Sequence, residues 1–137
     1  MNRVQEEIQD IYNGLQTKLG NNDACHFLVL CTIIHEYRRV PVDILGLVST
    51  CLHKGWIRND FYVKDALAIL QYCTGKRWSV RTETELPSYI ADNEYTEIMW
   101  VRGSREHFTR RYVDTLRNSQ TVKYGRIKEY RIYTVEE

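Results

Sequence analysis

The stretch NNDACHFLVLCTIIHEY, residues 21–37, decides the prediction of the fold. A polar run precedes Cys25, and from Phe27 onward apolar side chains cover nearly every face of the helix that follows. A helix that is apolar all round is typical of the interior of a domain rather than of its surface. The sequence therefore predicts a buried central helix over about Asp23–Tyr37, with Asp23 or Asn22 as its N-cap.

Three further helices are predicted around this central helix. The first begins at an N-cap on Asn2 and ends at Gly20, the third covers about 41–54, and the fourth covers about 64–73. After these helices the helical spacing of apolar residues ends, and short runs rich in β-branched and aromatic residues follow. These runs are RWSVRTE, EYTEIMWV, HFTRRYV and RIKEYRIYTV. A helical half followed by a strand half predicts one α+β domain over residues 1–137, with the buried helix lying across an antiparallel sheet.

The composition is that of an ordinary soluble protein. The chain has 137 residues, of which 43% are hydrophobic and 27% are charged, and its formal net charge is +1. The charged N-terminal segment has no apolar region of a signal peptide, and no run approaches the roughly 20 apolar residues of a membrane span. The four cysteines form no C-x-x-C pair. We therefore expect a cytoplasmic protein with free thiols and no membrane partner.

Cys25 differs from the other three cysteines in its position on a helix. A thiol in the first turn lies at the positive end of the helix dipole, which favours the thiolate, and the unpaired N–H groups there can face an oxyanion. We expect this thiol to lie at the surface. Cys31, Cys51 and Cys73 lie within or at the ends of apolar helices and are poorer candidates for a nucleophile.

A thiolate enzyme also needs a base, and the chain has four histidines. His26 follows Cys25 directly, so it lies about 100° round the helix and is expected to point elsewhere. His35 is three turns away, and His53 lies near the end of the third helix. His107 opens a predicted strand beside the turn RGSRE, where a side chain can face a cleft. A cysteine on an early helix and a histidine on a later strand are typical of Cys-His hydrolases.

Four features of the sequence occur together, namely ACHFLVLCTI, KGWI followed by DFYV, HF at a strand start, and DTLRNSQTVKYG leading into YRIY. Together they resemble a phage- and bacteria-encoded branch of the papain-like cysteine peptidase superfamily. The resemblance covers most of the chain from residue 21 onward. It implies a papain-like fold and a thiol hydrolase or transferase acting on a peptide, isopeptide or amide bond of a peptide or protein substrate. It also implies Cys25 as the nucleophile and His107 as the general base and acid.

The third member of a papain-like triad is an Asn or Asp after the histidine. Asp114 fits that order, but seven residues of continuous strand span roughly 23 Å, so it serves only if the chain folds back between Thr109 and Tyr112. Asn118 is the alternative for this orienting role, and Glu129 on the next strand is a more remote one.

The oxyanion hole departs from the papain-like pattern. The family usually places a glutamine six residues before the cysteine, where this chain has Leu19. Asn21, Asn22 or Gln16 would then supply the amide donor beside the Cys25 backbone N–H. Losing one such donor raises the barrier by roughly 3–4 kcal/mol. The alternative function is therefore a catalytically inactive papain-like module of phage origin that binds a protein partner.

Other classes of site are less consistent with the sequence. Cys31 and His35 share a helix face, but a zinc site needs four ligands in paired spacings, so no metal is expected. Phosphate-binding glycine motifs do not occur, so no cofactor is expected. Residues 101–131 carry nine basic and three acidic side chains, a local charge of 9 − 3 = +6. Solvated strand faces explain this charge better than nucleic-acid binding does, and the sequence does not indicate an oligomeric state.

Overall fold

The computed structural model describes residues 2–19, 24–111 and 125–137, and in these ranges four helices precede four strands. The helices are α1 (Arg3–Leu19), α2 (Cys25–Arg38), α3 (Ile44–Lys54) and α4 (Ala66–Thr74). The strands are β1 (Arg77–Glu83), β2 (Glu94–Arg102), β3 (Arg105–Thr109) and β4 (Arg126–Glu136). They form one antiparallel sheet in the order β1-β4-β2-β3, which confirms the α+β prediction. None of the helices described is both long and apolar enough to cross a membrane.

Side-chain caps set the starts of three helices. Asn2 and Gln5 cap α1 reciprocally, because each side chain accepts the other's backbone N–H, as predicted for Asn2. Asp43 accepts the N–H of Gly46, so α3 begins at Ile44, three residues later than predicted. Asp65 accepts the N–H of Ala68 and starts α4 in the same way.

The start of α2 differs from the prediction. Its N-cap is Ala24, which makes no side-chain capping hydrogen bond, rather than Asp23 or Asn22. The helix therefore begins on Cys25 itself. At its other end the chain turns through Arg39, whose φ of 62° is left-handed.

Helix α2 is the buried centre of the domain and crosses the sheet. Residues from Phe27 to His35 are all buried along its length. Near its start the ring of His26 stacks on Phe108 of β3, with ring centroids 4.0 Å apart. Near its end the ring of Tyr37 meets Trp78 of β1 edge-on at 5.8 Å. Since β3 and β1 are the two edges of the sheet, the helix spans it from edge to edge.

The two faces of the sheet carry different side chains because residues alternate along each strand. Tyr95, Met99, Phe108 and Tyr133 lie on the face towards α2 and belong to the main apolar core. The opposite face also carries buried side chains, which are Thr96, Ile98, His107, Thr109 and Ile132. The opposite face is therefore buried at β2, β3 and part of β4, whereas β1 is mostly exposed.

The hairpin between β2 and β3 is tighter than predicted. Gly103 adopts a φ of 62°, and Arg102 pairs directly with Arg105 beyond the turn. Strand β3 therefore begins at Arg105, and His107 is its third residue instead of its first.

Candidate functional site

Cys25 is the first residue of α2, at the end of the helix that touches the edge strand β3. Only 2% of the residue is exposed, so the expectation of a surface thiol is wrong. The burial follows from the packing of Ala24 and Cys25 into the same apolar cluster as the residues after them. A reaction at this sulfur would need the surrounding side chains to open.

The other three thiols are protonated at neutral pH. Burial raises the pKa of Cys31 well above its ordinary range, and the neighbouring Cys73 and Cys51 raise it further. Burial likewise raises the pKa of Cys51 and of Cys73 to about 11. Because the thiolate is the reactive form, these three cysteines are poor nucleophiles.

His107 lies in β3, the strand nearest the start of α2, and is 6% exposed. Its neighbour Phe108 faces α2 and stacks on His26. Strand alternation therefore directs the imidazole of His107 to the other face of the sheet, where it lies opposite Trp100 in the register. The strand and the helix meet, but His107 and the first turn of α2 lie on different sides of the sheet.

The remaining predicted site residues fall largely outside the described part of the chain. Asp114 and Asn118 follow residue 111, and Asn21 and Asn22 precede residue 24, so the structure does not describe them. Glu129, the remote alternative, lies on β4, where its carboxylate accepts a hydrogen bond from Arg131 Nε at 3.0 Å.

The imidazole that does lie on the α2 side of the sheet is that of His26. Its Nε2 is 2.8 Å from Oε1 of Glu97 on β2, which is an ion-pair distance. The two atoms do not have the geometry of a regular hydrogen bond. Phe108 stacks against one side of the ring, and 14% of the side chain is exposed. A carboxylate and an aromatic ring thus fix this imidazole next to Cys25.

Glu97 is completely buried and is held by three groups. Besides its contact with His26, its Oε2 accepts a hydrogen bond from Tyr133 Oη at 2.8 Å and lies 3.7 Å from Arg131 Nη1. Burial alone would raise the pKa of Glu97, but His26, Arg131 and Tyr133 together outweigh it and lower the pKa below 4.5. The carboxylate is therefore ionised at neutral pH.

Sequence reasoning missed Glu97, although one signal was available. The residue stands inside the run YTEIM, in which all five residues are buried. A charged residue at a buried strand position needs a partner, because an isolated charge is costly to bury. That signal identifies Glu97 as unusual, but it does not identify His26, which is 71 residues earlier.

The other imidazole of α2, His35, is completely buried and has a structural role. His35 Nδ1 is 3.2 Å from Tyr12 Oη, and its Nε2 is 2.9 Å from Glu7, so both ring nitrogens bind α1. These contacts direct His35 away from a site shared with Cys31. Among the described residues, no cluster of three metal-ligating side chains occurs.

Comparison of the chain with protein families, curated proteins and solved structures found no match. The candidate site is accordingly defined by its own residues. These are Cys25 and His26 at the start of α2, Glu97 on β2, Phe108 on β3, and Arg131 and Tyr133 on β4.

Proposed function

We propose that this chain is a thiol hydrolase or transferase with a papain-like fold, acting on a peptide, isopeptide or amide bond. Cys25 would attack the carbonyl carbon as thiolate, and an imidazole would return a proton to the leaving amine. The resemblance assigns that imidazole to His107. The backbone N–H groups at the start of α2 would bind the oxyanion.

One observation supports this proposal above the others. The helix begins on Cys25 itself, and the first turn packs on β3 through the stack of His26 on Phe108. A nucleophile at a helix N-terminus, set against an antiparallel sheet with the imidazole of His26 next to it in the chain, has the parts that acyl transfer requires. Burial raises the pKa of Cys31, Cys51 and Cys73, which makes these three thiols poor nucleophiles, whereas Cys25 is the first residue of its helix.

A second candidate function is a catalytically inactive papain-like module that binds a protein partner. The burial of Cys25 favours it, and so does the position of His107 on the far face of the sheet. This candidate predicts a folded protein whose Cys25 does not react with an acylating or alkylating probe.

Labelling with an electrophilic, thiol-directed peptide probe at pH 7 tests the proposal. We expect wild-type protein to be labelled at one residue, Cys25→Ala to lose the label, and Cys31→Ala to keep it. Cys31 is the matched control because it lies on the same helix and is held protonated by burial. Mass spectrometry of the digested protein identifies the labelled residue.

Two outcomes of this experiment contradict the enzyme. Equal labelling of Cys25 and Cys31 would show unselective alkylation of opened chains. No labelling of a protein that keeps its far-ultraviolet circular dichroism would favour the binding module.

A further inference from the structure

The pair formed by His26 and Glu97 is unusual for a structural contact. The carboxylate is 0% exposed, and the imidazole keeps 14% of its side chain exposed at the surface of the domain. Arg131 and Tyr133 hold the second oxygen of Glu97, so the first oxygen is left to His26. A buried carboxylate therefore supports a partly exposed imidazole.

The contact also selects a tautomer of the imidazole. Glu97 is ionised, so its oxygens only accept hydrogen bonds, and the 2.8 Å contact favours a proton on Nε2 of His26. In the neutral ring the other nitrogen, Nδ1, is then a proton acceptor. An oriented imidazole with an acceptor nitrogen and a carboxylate behind it is the arrangement of a general base. The bent angle of the contact does not argue against this, since such bonds tighten when substrate binds.

His26 is closer to Cys25 along the chain than any other imidazole. The two residues are consecutive, so their Cα atoms are about 3.8 Å apart. The exposed 14% of the His26 side chain gives water access to the imidazole at the first turn of α2, the turn that also carries Cys25. His107, by contrast, faces the other side of the sheet.

We propose that His26, held by Glu97, is the imidazole that transfers protons at Cys25 in the hydrolysis of the acyl-enzyme. This inference rests on the proposed function and changes the residue that serves as base. Glu97 acts through His26 and is a positioning residue.

A water oxygen attacks the thioester carbonyl, and a new C–O bond forms while Nδ1 of His26 takes one water proton. The tetrahedral intermediate collapses with cleavage of the C–S bond, and the Cys25 sulfur leaves with the electron pair. The proton on Nδ1 passes to that sulfur, and the products are a carboxylic acid and the free thiol.

The test measures loss of an acetyl group from Cys25 after treatment with p-nitrophenyl acetate. We expect His26→Gln to slow this loss roughly 100-fold, as is usual when a general base is removed. His35→Gln is the matched control, because it removes an imidazole with a carboxylate partner from the same helix. It is expected to deacetylate at the wild-type rate. Added imidazole should restore the rate in His26→Ala, which a purely structural role would not allow.

The outcomes separate the inference from the proposed function. If Cys25 takes up no acetyl group, the proposed function fails. If Cys25 is acetylated and His26→Gln loses the group at the wild-type rate, only the inference is overturned, and a slow rate in His107→Gln would assign the base to that residue.

Nitrogen-15 spectra of the imidazoles provide a readout that needs no activity. We expect His26 to carry its proton on Nε2 in the wild type and to lose this preference in Glu97→Gln. A wild-type ring protonated on Nδ1 would overturn the inference.

Discussion

Glu97 places a negative charge in a part of the sheet that is otherwise apolar. Its neighbours Tyr95 and Met99 belong to the core, and its own side chain is completely buried. Arg131 and His26 compensate the charge from two different elements. The pKa of Glu97 is lowered on folding, so the ionised form stabilises the folded state relative to the unfolded chain.

This lowered pKa predicts a dependence of stability on pH. A group whose pKa falls on folding contributes stability above its unfolded pKa, here 4.5, and loses it as the pH drops through the folded value. We expect Glu97→Gln to lower the free energy of unfolding at pH 7 by about 1–3 kcal/mol, because Arg131 and Tyr133 lose a charged acceptor. Urea unfolding should show that the difference in free energy of unfolding between Glu97→Gln and the wild type is smaller at pH 3 than at pH 7.

A surface glutamate provides the control for this measurement. Glu85 is exposed, so Glu85→Gln should track the wild type at both pH values. An equal gap between Glu97→Gln and wild type at pH 7 and pH 3 would contradict the assignment of a buried, ionised carboxylate.

Helix α3 begins where a glycine and a capping aspartate fit together. The N–H of Gly46 donates to Asp43 Oδ1 at 3.1 Å, and a Cβ on Gly46 would collide with Oδ2 of the same side chain. A Cβ on Gly14 in α1 would meet no other atom within 4 Å. Two helical glycines therefore differ in what an added methyl group would meet.

Alanine substitutions at these glycines should differ in their effect on stability. Gly14→Ala should raise the free energy of unfolding by about 0.5–1 kcal/mol, because alanine loses less backbone entropy in a helix. Gly46→Ala should gain little or nothing, because the methyl group displaces the cap, which is worth about 1 kcal/mol. In the Asp43→Ala background the cap is absent, so Gly46→Ala should then stabilise. Equal gains at both glycines in the wild-type background would contradict this account, and thermal unfolding measures them.

The elements were predictable to the extent that local chemistry defines them. The β-branched and aromatic residues of RWSVRTE predicted β1 at its observed bounds, and Gly55 and Gly75 end α3 and α4 with positive φ, as glycine after a helix should. The starts of α2, α3 and α4 were predicted two or three residues too early. At α3 and α4 the start depends on which aspartate oxygen reaches which backbone N–H, and at α2 the N-cap Ala24 makes no side-chain hydrogen bond. The contact of His26 with Glu97 was not predictable, since it depends on how α2 crosses the sheet.

At the scale of the whole molecule, α2 is the buried central element, and α1, α4 and β3 pack against it. We expect Leu30→Ala, at a fully buried position on α2, to lower the free energy of unfolding by about 2–5 kcal/mol. Leu45→Ala on α3 is the control, because that leucine is 84% exposed and its loss should change stability by less than about 0.5 kcal/mol. Similar losses for both variants in chemical denaturation would contradict the central position of α2.

The order β1-β4-β2-β3 has a consequence for how the chain reaches this fold. Strand β4 is last in sequence but lies between β1 and β2, which do not pair with each other. Before residues 126–136 have been synthesised, the β2–β3 hairpin is therefore the only pairing that the four described strands can form. The sheet closes by insertion of its final strand, a non-local step that makes folding slower than in a helical bundle of the same length.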